Sequence, residues 1–125
     1  MQLLVSLQST IIAQLSALFP VENKQCQIAM ATVLLNFTVV FTSQVVNNEA
    51  KATCLNLCLL FLQGMTDSEA RFRNMVTLGT LVESDPASLI VEARKLDAKE
   101  KVEAAKLLDT TDKVQNIAQA LLSRL

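Results

Sequence analysis

Glycine and proline are almost absent from this chain, with two of each in 125 residues. Sheet sandwiches and barrels need a turn signal roughly every 8–12 residues, and this sequence cannot supply one at that interval. The sequence is rich in leucine, alanine and valine, and 51% of all residues are hydrophobic. We therefore predict a single all-α domain over residues 1–125 with a buried core.

Start and stop signals divide the chain into about seven predicted helices. The first covers about residues 2–18, and the others begin near residues 22, 47, 66, 85, 97 and 110. Gly64 is expected to end the third helix in a left-handed cap. Thr66 with Glu69, and Asp97 with Glu100, are predicted to form capping boxes at the starts of the fourth and sixth helices.

The second and fourth predicted helices start 44 residues apart, near Glu22 and Thr66. Armadillo and HEAT repeats have periods of roughly 40–47 residues. The spacing therefore favours an armadillo- or HEAT-like helical solenoid.

The second, third and fourth predicted helices each carry a narrow polar stripe on a mostly apolar circumference. The second is expected to be buried everywhere except along this stripe. In a stacked solenoid, such a stripe on an inner helix lines the binding groove, and its amide and hydroxyl groups can bond the backbone of an extended peptide. The alternative is that each stripe is only the solvent side of a core helix. The candidate peptide-binding residues from these stripes are Thr32, Asn36, Asn56, Glu69, Arg73 and Thr80.

The absence of histidine limits the chemistry that this chain can perform. Without it there can be no Ser–His or Cys–His nucleophile pair and no His-ligated zinc. Cys54 and Cys58 lie one helical turn apart in an apolar run and are interpreted as reduced core residues, with metal binding or a redox pair as the alternative. A small enzyme would depend on a lone cysteine or on carboxylates such as Glu69 and Glu83. We expect no enzyme activity, no cofactor and no metal.

Charge and aromatic content narrow the classes of partner. The net charge is −1 and the chain has no tryptophan or tyrosine, so it lacks the basic field and the stacking platforms of nucleic-acid-binding proteins. The stretch 25–48 has no charged residue and could span about 30 Å of hydrocarbon. Polar residues interrupt it, and no aromatic belt flanks it. We therefore expect neither nucleic acid nor a membrane as the partner.

Three segments resemble a known family, the PUL domain. Residues 27–37 (QIAMATVLLNF) are similar to its QIALATLALNY helix, residues 49–55 (EAKATCL) to EGKAQCL, and residues 69–81 (EARFRNMVTLGTL) to EATFRLLVALGTL. The segments occur in the family's order and at similar spacing. A whole PUL domain is about twice this length, so the chain is expected to correspond to its C-terminal half.

The resemblance implies an armadillo-like adaptor that binds the C-terminal tail of the AAA ATPase valosin-containing protein in ubiquitin-dependent protein turnover, in the cytoplasm or nucleus. Arg73 aligns with an arginine of the family motif and is the candidate anion contact, and Asn36 is the candidate backbone clamp. Arg71 stands where the motif has threonine and points about 160° away from Arg73. The alternative is a helical scaffold or self-association segment without a groove ligand, since the chain has more apolar surface than one small domain is expected to hide.

Overall fold

The computed structural model of this chain describes residues 22–44 and 48–125, together with five earlier positions, Thr10, Ala13, Gln14, Ala17 and Phe19. Within these residues it is all helical, which confirms the predicted fold class. The six helices are α1 Lys24–Gln44, α2 Asn48–Gly64, α3 Ser68–Ser84, α4 Pro86–Lys95, α5 Ala98–Leu108 and α6 Asp112–Leu122. Most of the predicted first helix, residues 2–18, lies outside the described residues.

Three helices repeat at a constant interval. Helices α1, α3 and α6 begin at residues 24, 68 and 112, each 44 residues after the one before. They run parallel in one row, because contacts join their corresponding ends: Gln27 bonds to Asp67, and Glu69 bonds to Lys113. Helices α2, α4 and α5 pack on one side of this row. The predicted repeat is confirmed, and it includes a third unit, which begins at Asp112.

The core lies between the row and the second layer. Its largest fully buried side chains include Phe61 of α2 and Met75, Leu78 and Leu81 of α3. Burying each such side chain stabilises the fold by about 1.5–3 kcal/mol. Helix α3 contacts α1, α2, α4 and α6, so it holds the two layers together and fixes the row.

Gly64 ends α2, but not in the predicted left-handed conformation, because neither glycine has a positive φ. The side of Gly64 is instead filled by the ring of Phe19, which lies where a Cβ would be. That ring also packs on Phe61, with centroids 5.3 Å apart. Glycine is needed here for a close approach and not for its backbone freedom.

The predicted capping boxes are wrong in mechanism. Asp67, not Thr66, caps α3, and its Oδ2 accepts a hydrogen bond from the amide of Ala70 at 3.0 Å. Asp97 does precede α5, but it takes a left-handed conformation (φ 57°) and makes no side-chain cap. An aspartate tolerates that region better than most residues, so it serves as the turn residue between α4 and α5.

Arg71 and Arg73 point in opposite directions from α3, as predicted. Arg71 lies inside, where its Nη1 donates to Oδ2 of Asp109 at 3.2 Å. Asp109 is 3% exposed and also accepts bonds from Ser68 and Thr111. This network ties the α5–α6 connection to the start of α3.

Helix α1 exposes more apolar surface than its polar stripe predicts. Val33, Val39 and Val40 are each about half exposed, at 46%, 51% and 50%. The prediction that only the polar stripe of this helix is exposed is therefore wrong.

Among the residues that the structure describes, no helix combines the length and hydropathy needed to cross a membrane.

Gly79, in the middle of α3, allows a direct test of helix propensity. A Cβ at this position would meet Leu121 Cδ2 at 3.6 Å, an ordinary van der Waals contact. We expect Gly79→Ala to raise the free energy of unfolding by about 0.5–1 kcal/mol, because glycine inside a helix loses more backbone entropy than alanine. Urea unfolding measures the change. Gly64→Ala should act in the opposite direction, because its Cβ displaces the Phe19 ring; equal gains from both variants would contradict this account.

Candidate binding surface

The outward side chains of α1, α3 and α6 form one continuous surface, which we call the three-helix face. The helices begin 44 residues apart, so positions that differ by 44 are equivalent in the repeat, and we group such positions as rows. One row is Gln25, Glu69 and Lys113, and a second is Asn36, Thr80 and Arg124. The rows are 11 residues apart, about 16 Å along the helix axes. The face therefore presents two rows of polar side chains.

A chain of polar contacts crosses the face near the first row. Lys113 Nζ donates to Glu69 Oε2 at 2.6 Å, and Arg73 Nε donates to Glu69 Oε1 at 3.0 Å. Arg73 Nη1 also donates to the hydroxyl of Thr32, which itself donates to the carbonyl of Ile28. We call Thr32, Arg73, Glu69 and Lys113 the polar ladder. It links all three helices and carries one net positive charge.

Electrostatics favour the ionised form of Glu69. The hydrogen bond from Lys113, followed by that from Arg73, lowers the pKa of this carboxyl despite the opposing effect of burial. Lys113 also lies over the ring of Phe72, with Nζ 4.6 Å from the centroid, in a cation–π contact. Both cations are thus held in place above α3.

Arg73 keeps one nitrogen for a ligand. Its Nε is bonded to Glu69 and its Nη1 to Thr32, whereas Nη2 has no hydrogen-bond partner among the described residues. The side chain is 33% exposed. A guanidinium offers five N–H donors and binds carboxylates and phosphates with charge-assisted bonds, so this position can receive an anion.

A groove of about 670 Å³ lies between the C-terminal halves of α3 and α6. Its walls are mainly apolar, with Val76 and Gly79 on α3 and Ile117 and Leu121 on α6. A groove of this size and character can take an apolar side chain of a bound segment. Its rim includes Thr80, Glu83 and Arg124, the last two joined in an ion pair.

Comparison with known proteins identifies relatives of this sequence. The sequence model of the PUL domain matches residues 1–120. The chain belongs to the PUL domain family. It is also 29% identical over 123 residues to phospholipase A-2-activating protein from Xenopus laevis. That alignment covers 98% of this chain and 15% of the relative, so the chain spans a small part of that protein.

Family membership confirms the resemblance found in the sequence. Together with the similarity to phospholipase A-2-activating protein, it supports a protein-interaction adaptor module rather than a catalytic one. The described part of this PUL domain contains no group of three or more His, Cys, Asp or Glu side chains placed to hold a metal ion. Cys54 and Cys58 are buried and reduced. Burial, and then the neighbouring Cys54, raises the pKa of Cys58, which keeps it a thiol.

Five of the six candidate residues lie on the three-helix face of this PUL domain. Arg73, Thr32 and Glu69 are joined directly in the polar ladder. Asn36 is exposed one turn beyond Thr32. Thr80 lines the groove, and its hydroxyl donates to the carbonyl of Val76 at 2.8 Å.

Asn56 lies on a different surface. Cys58, two positions further along α2, points at α3 and donates to the carbonyl of Asn74 at 3.0 Å. Two positions correspond to about 200° around a helix, so the exposed Asn56 points away from α3. The polar stripe of α2 therefore does not continue the three-helix face of the PUL domain.

Sequence reasoning missed Lys113 and Arg124, which complete the two rows. The signal was present, because Lys113 follows Glu69 by 44 residues and Arg124 follows Thr80 by 44 residues. Carrying the repeat into the last helix would have placed both cations on the same face of the PUL domain. The groove itself had no sequence signal, since its walls are residues that are typical of any helical core.

Proposed function

We propose that this PUL domain is a non-enzymatic adaptor that binds the C-terminal tail of the AAA ATPase valosin-containing protein on its three-helix face. The role belongs to ubiquitin-dependent protein turnover. Family membership supports an adaptor, and the sequence resemblance implies this partner. The observation that carries the proposal is Arg73, a half-buried guanidinium on this face whose Nη2 has no hydrogen-bond partner in the described part of the chain.

A C-terminal tail always ends in a carboxylate, whatever its sequence. That group suits Arg73, because a charge-assisted bond to a carboxylate is roughly twice as strong as a neutral one. The polar ladder has a net positive charge, which also favours an anionic end. We infer that the terminal carboxylate binds at Nη2 of Arg73.

The second polar row suits the backbone of an extended segment. Asn36 is exposed and its amide offers both donors and an acceptor. The Thr80 hydroxyl has its proton directed to Val76 and can still accept a bond. Thr80 follows Arg73 by seven residues, about 10 Å along the helix axis. An extended chain advances about 3.3 Å per residue, so about three residues would lead from Arg73 to the second row.

Titration of a fluorescent tail peptide against the purified chain tests this proposal. We expect saturable binding, and we expect Arg73→Ala to weaken it by about 1–3 kcal/mol because a charge-assisted contact is lost. Peptide with an amidated C-terminus should lose a similar amount for wild type and nothing further for the variant.

Lys99→Ala is the matched control for this titration. It removes the same charge from an exposed position on α5, in the other layer, and should leave the affinity unchanged. Absence of saturable binding at millimolar protein would contradict the proposed function. Equal effects of Arg73→Ala and Lys99→Ala would show that only net charge matters and would remove Arg73 from the site.

Self-association is the second candidate function, and the half-exposed valines of α1 favour it. Val33, Val39 and Val40 provide apolar surface that a second copy could cover. Light scattering at several protein concentrations distinguishes the two candidates. A monomer that binds the peptide supports the tail-binding adaptor, and a concentration-dependent oligomer without peptide affinity supports the scaffold.

A further inference from the structure

Glu69 occupies the position where a ligand carboxylate would be expected to bind. Its two oxygens bond separately to Arg73 Nε and Lys113 Nζ, at 3.0 and 2.6 Å. It lies in the first turn of α3, where free backbone amides also favour a negative charge. The side chain is 32% exposed, so a ligand can reach it.

The contacts of Arg73 show which ligand contact the Glu69 carboxylate prevents. A carboxylate can bind a guanidinium side-on through two parallel bonds, one from Nε and one from Nη2. Glu69 already occupies Nε, while Nη2 has no partner among the described residues. A ligand carboxylate can therefore add one bond at Nη2, but it can make the two-bond side-on contact only by displacing Glu69.

We propose that Glu69 is a built-in competitor for the carboxylate site of the three-helix face. It holds Arg73 and Lys113 in the unliganded domain and limits how tightly an anionic chain end binds. The inference rests on the proposed function, because it assumes that a carboxylate-bearing segment binds at Arg73. It assigns to Glu69 a role in setting affinity that is distinct from contact with the ligand.

Displacement of Glu69 from Arg73 by a ligand carboxylate requires little energy. Ion pairs between partly exposed side chains are individually weak, and Glu69, Arg73 and Lys113 are about one-third to one-half exposed. With Glu69 in place the three groups carry one net positive charge, and without its charge they carry two. Neutralising Glu69 therefore both frees Nε and strengthens the attraction for an anion.

Glu69→Gln tests the proposal, because it keeps the size and hydrogen-bonding capacity of the side chain and removes the charge. We expect the tail peptide to bind about tenfold more tightly to this variant, which corresponds to about 1.4 kcal/mol. The affinity should also fall more steeply with added salt, since one more uncompensated cation faces the ligand. The amidated peptide should gain much less.

Glu92→Gln is the matched control. Glu92 pairs with Lys95 at 3.3 Å on α4, away from the three-helix face, and its neutralisation should leave peptide affinity unchanged. A thermal melt of each variant checks that the fold is retained, and Glu69→Ala provides a second, smaller neutral side chain with the same expected direction.

The outcomes separate this inference from the proposed function. Unchanged or weaker binding by Glu69→Gln, with Arg73-dependent binding in wild type, overturns the competitor role and leaves the proposed function standing. No binding by wild type or either Glu69 variant overturns both. Tighter binding that the amidated peptide shares equally also overturns the competitor role, because the gain would not depend on the ligand carboxylate.

Discussion

Asp109→Ala should lower the free energy of unfolding by about 3–5 kcal/mol. Asp109 is 3% exposed and accepts hydrogen bonds from Ser68 Oγ at 2.7 Å, Arg71 Nη1 at 3.2 Å and Thr111 Oγ1 at 2.6 Å. Its removal leaves the buried guanidinium of Arg71 without a counter-charge. Arg71 Nε has no partner within the described residues to compensate.

Urea unfolding at pH 7 measures this loss, and Asp112→Ala provides the control. Asp112 is an exposed aspartate three residues further along, in the first turn of α6. Its removal should cost at most about 1 kcal/mol, from the lost interaction with the helix terminus. Similar losses from the two variants would show that the buried network contributes little.

The same carboxylate predicts a pH dependence. Burial alone would raise the pKa of Asp109, but hydrogen bonds from Thr111 and Ser68, and the Arg71 guanidinium, outweigh it and lower the pKa to about 2. The unfolded-state pKa is about 3.9. The stabilisation of about 2–3 kcal/mol is therefore complete above about pH 5 and is lost progressively as the pH falls through 4 and 2 towards 1. The stability difference between wild type and Asp109→Asn should shrink over that interval.

The helical class and the repeat were predictable because they depend on local signals. Asp85–Pro86 marks the start of α4 through proline's preference for the first turn, and the structure begins that helix at Pro86. The 44-residue offset between Glu22 and Thr66 reappears as the offset between α1 and α3. Both signals depend on residue type and spacing along the chain, so they can be recognised without knowledge of any tertiary contact.

The details at helix ends were not predictable, because distant side chains take part in them. Glu69 was expected to reach back to its own helix start, yet it binds Lys113, 44 residues away. Gly64 was expected to end its helix in a left-handed conformation, yet its role is to leave space for the ring of Phe19. Tertiary partners override local capping in each case.

The candidate site was predictable in part. The stripe on α3 correctly placed Arg73 and Glu69 on one face, because residues four apart on a helix are neighbours. The stripe on α2 could not be assigned to a side of the fold without knowing where α3 packs, and Asn56 lies on the other surface. Periodicity identifies exposed positions but does not show which helices share a face.

Gln27→Leu should lower the free energy of unfolding by about 2–4 kcal/mol, although leucine is close to glutamine in size. Gln27 is 1% exposed, and its Oε1 accepts from the backbone amides of both Thr66 and Asp67 at 2.9 Å. Its Nε2 donates to the Thr66 hydroxyl at 3.3 Å. One side chain of α1 thus accepts hydrogen bonds from two backbone amides in the turn that leads into α3. Leucine would leave both amides without an acceptor, and each unsatisfied amide costs about 1–3 kcal/mol.

Urea unfolding and amide exchange both report on this loss. The amide of Asp67 should exchange faster in Gln27→Leu, because its acceptor is gone, while amides in the middle of α6 should change only with global stability. Gln25→Leu is the control, since Gln25 is exposed two positions earlier on the same helix and should change stability by no more than about 0.5 kcal/mol. If the two variants unfold alike and Asp67 keeps its protection, the turn does not depend on Gln27. The expected result would instead show that Gln27 fixes the position of α1 along α3. It would thereby show that the same side chain aligns the rows of the three-helix face.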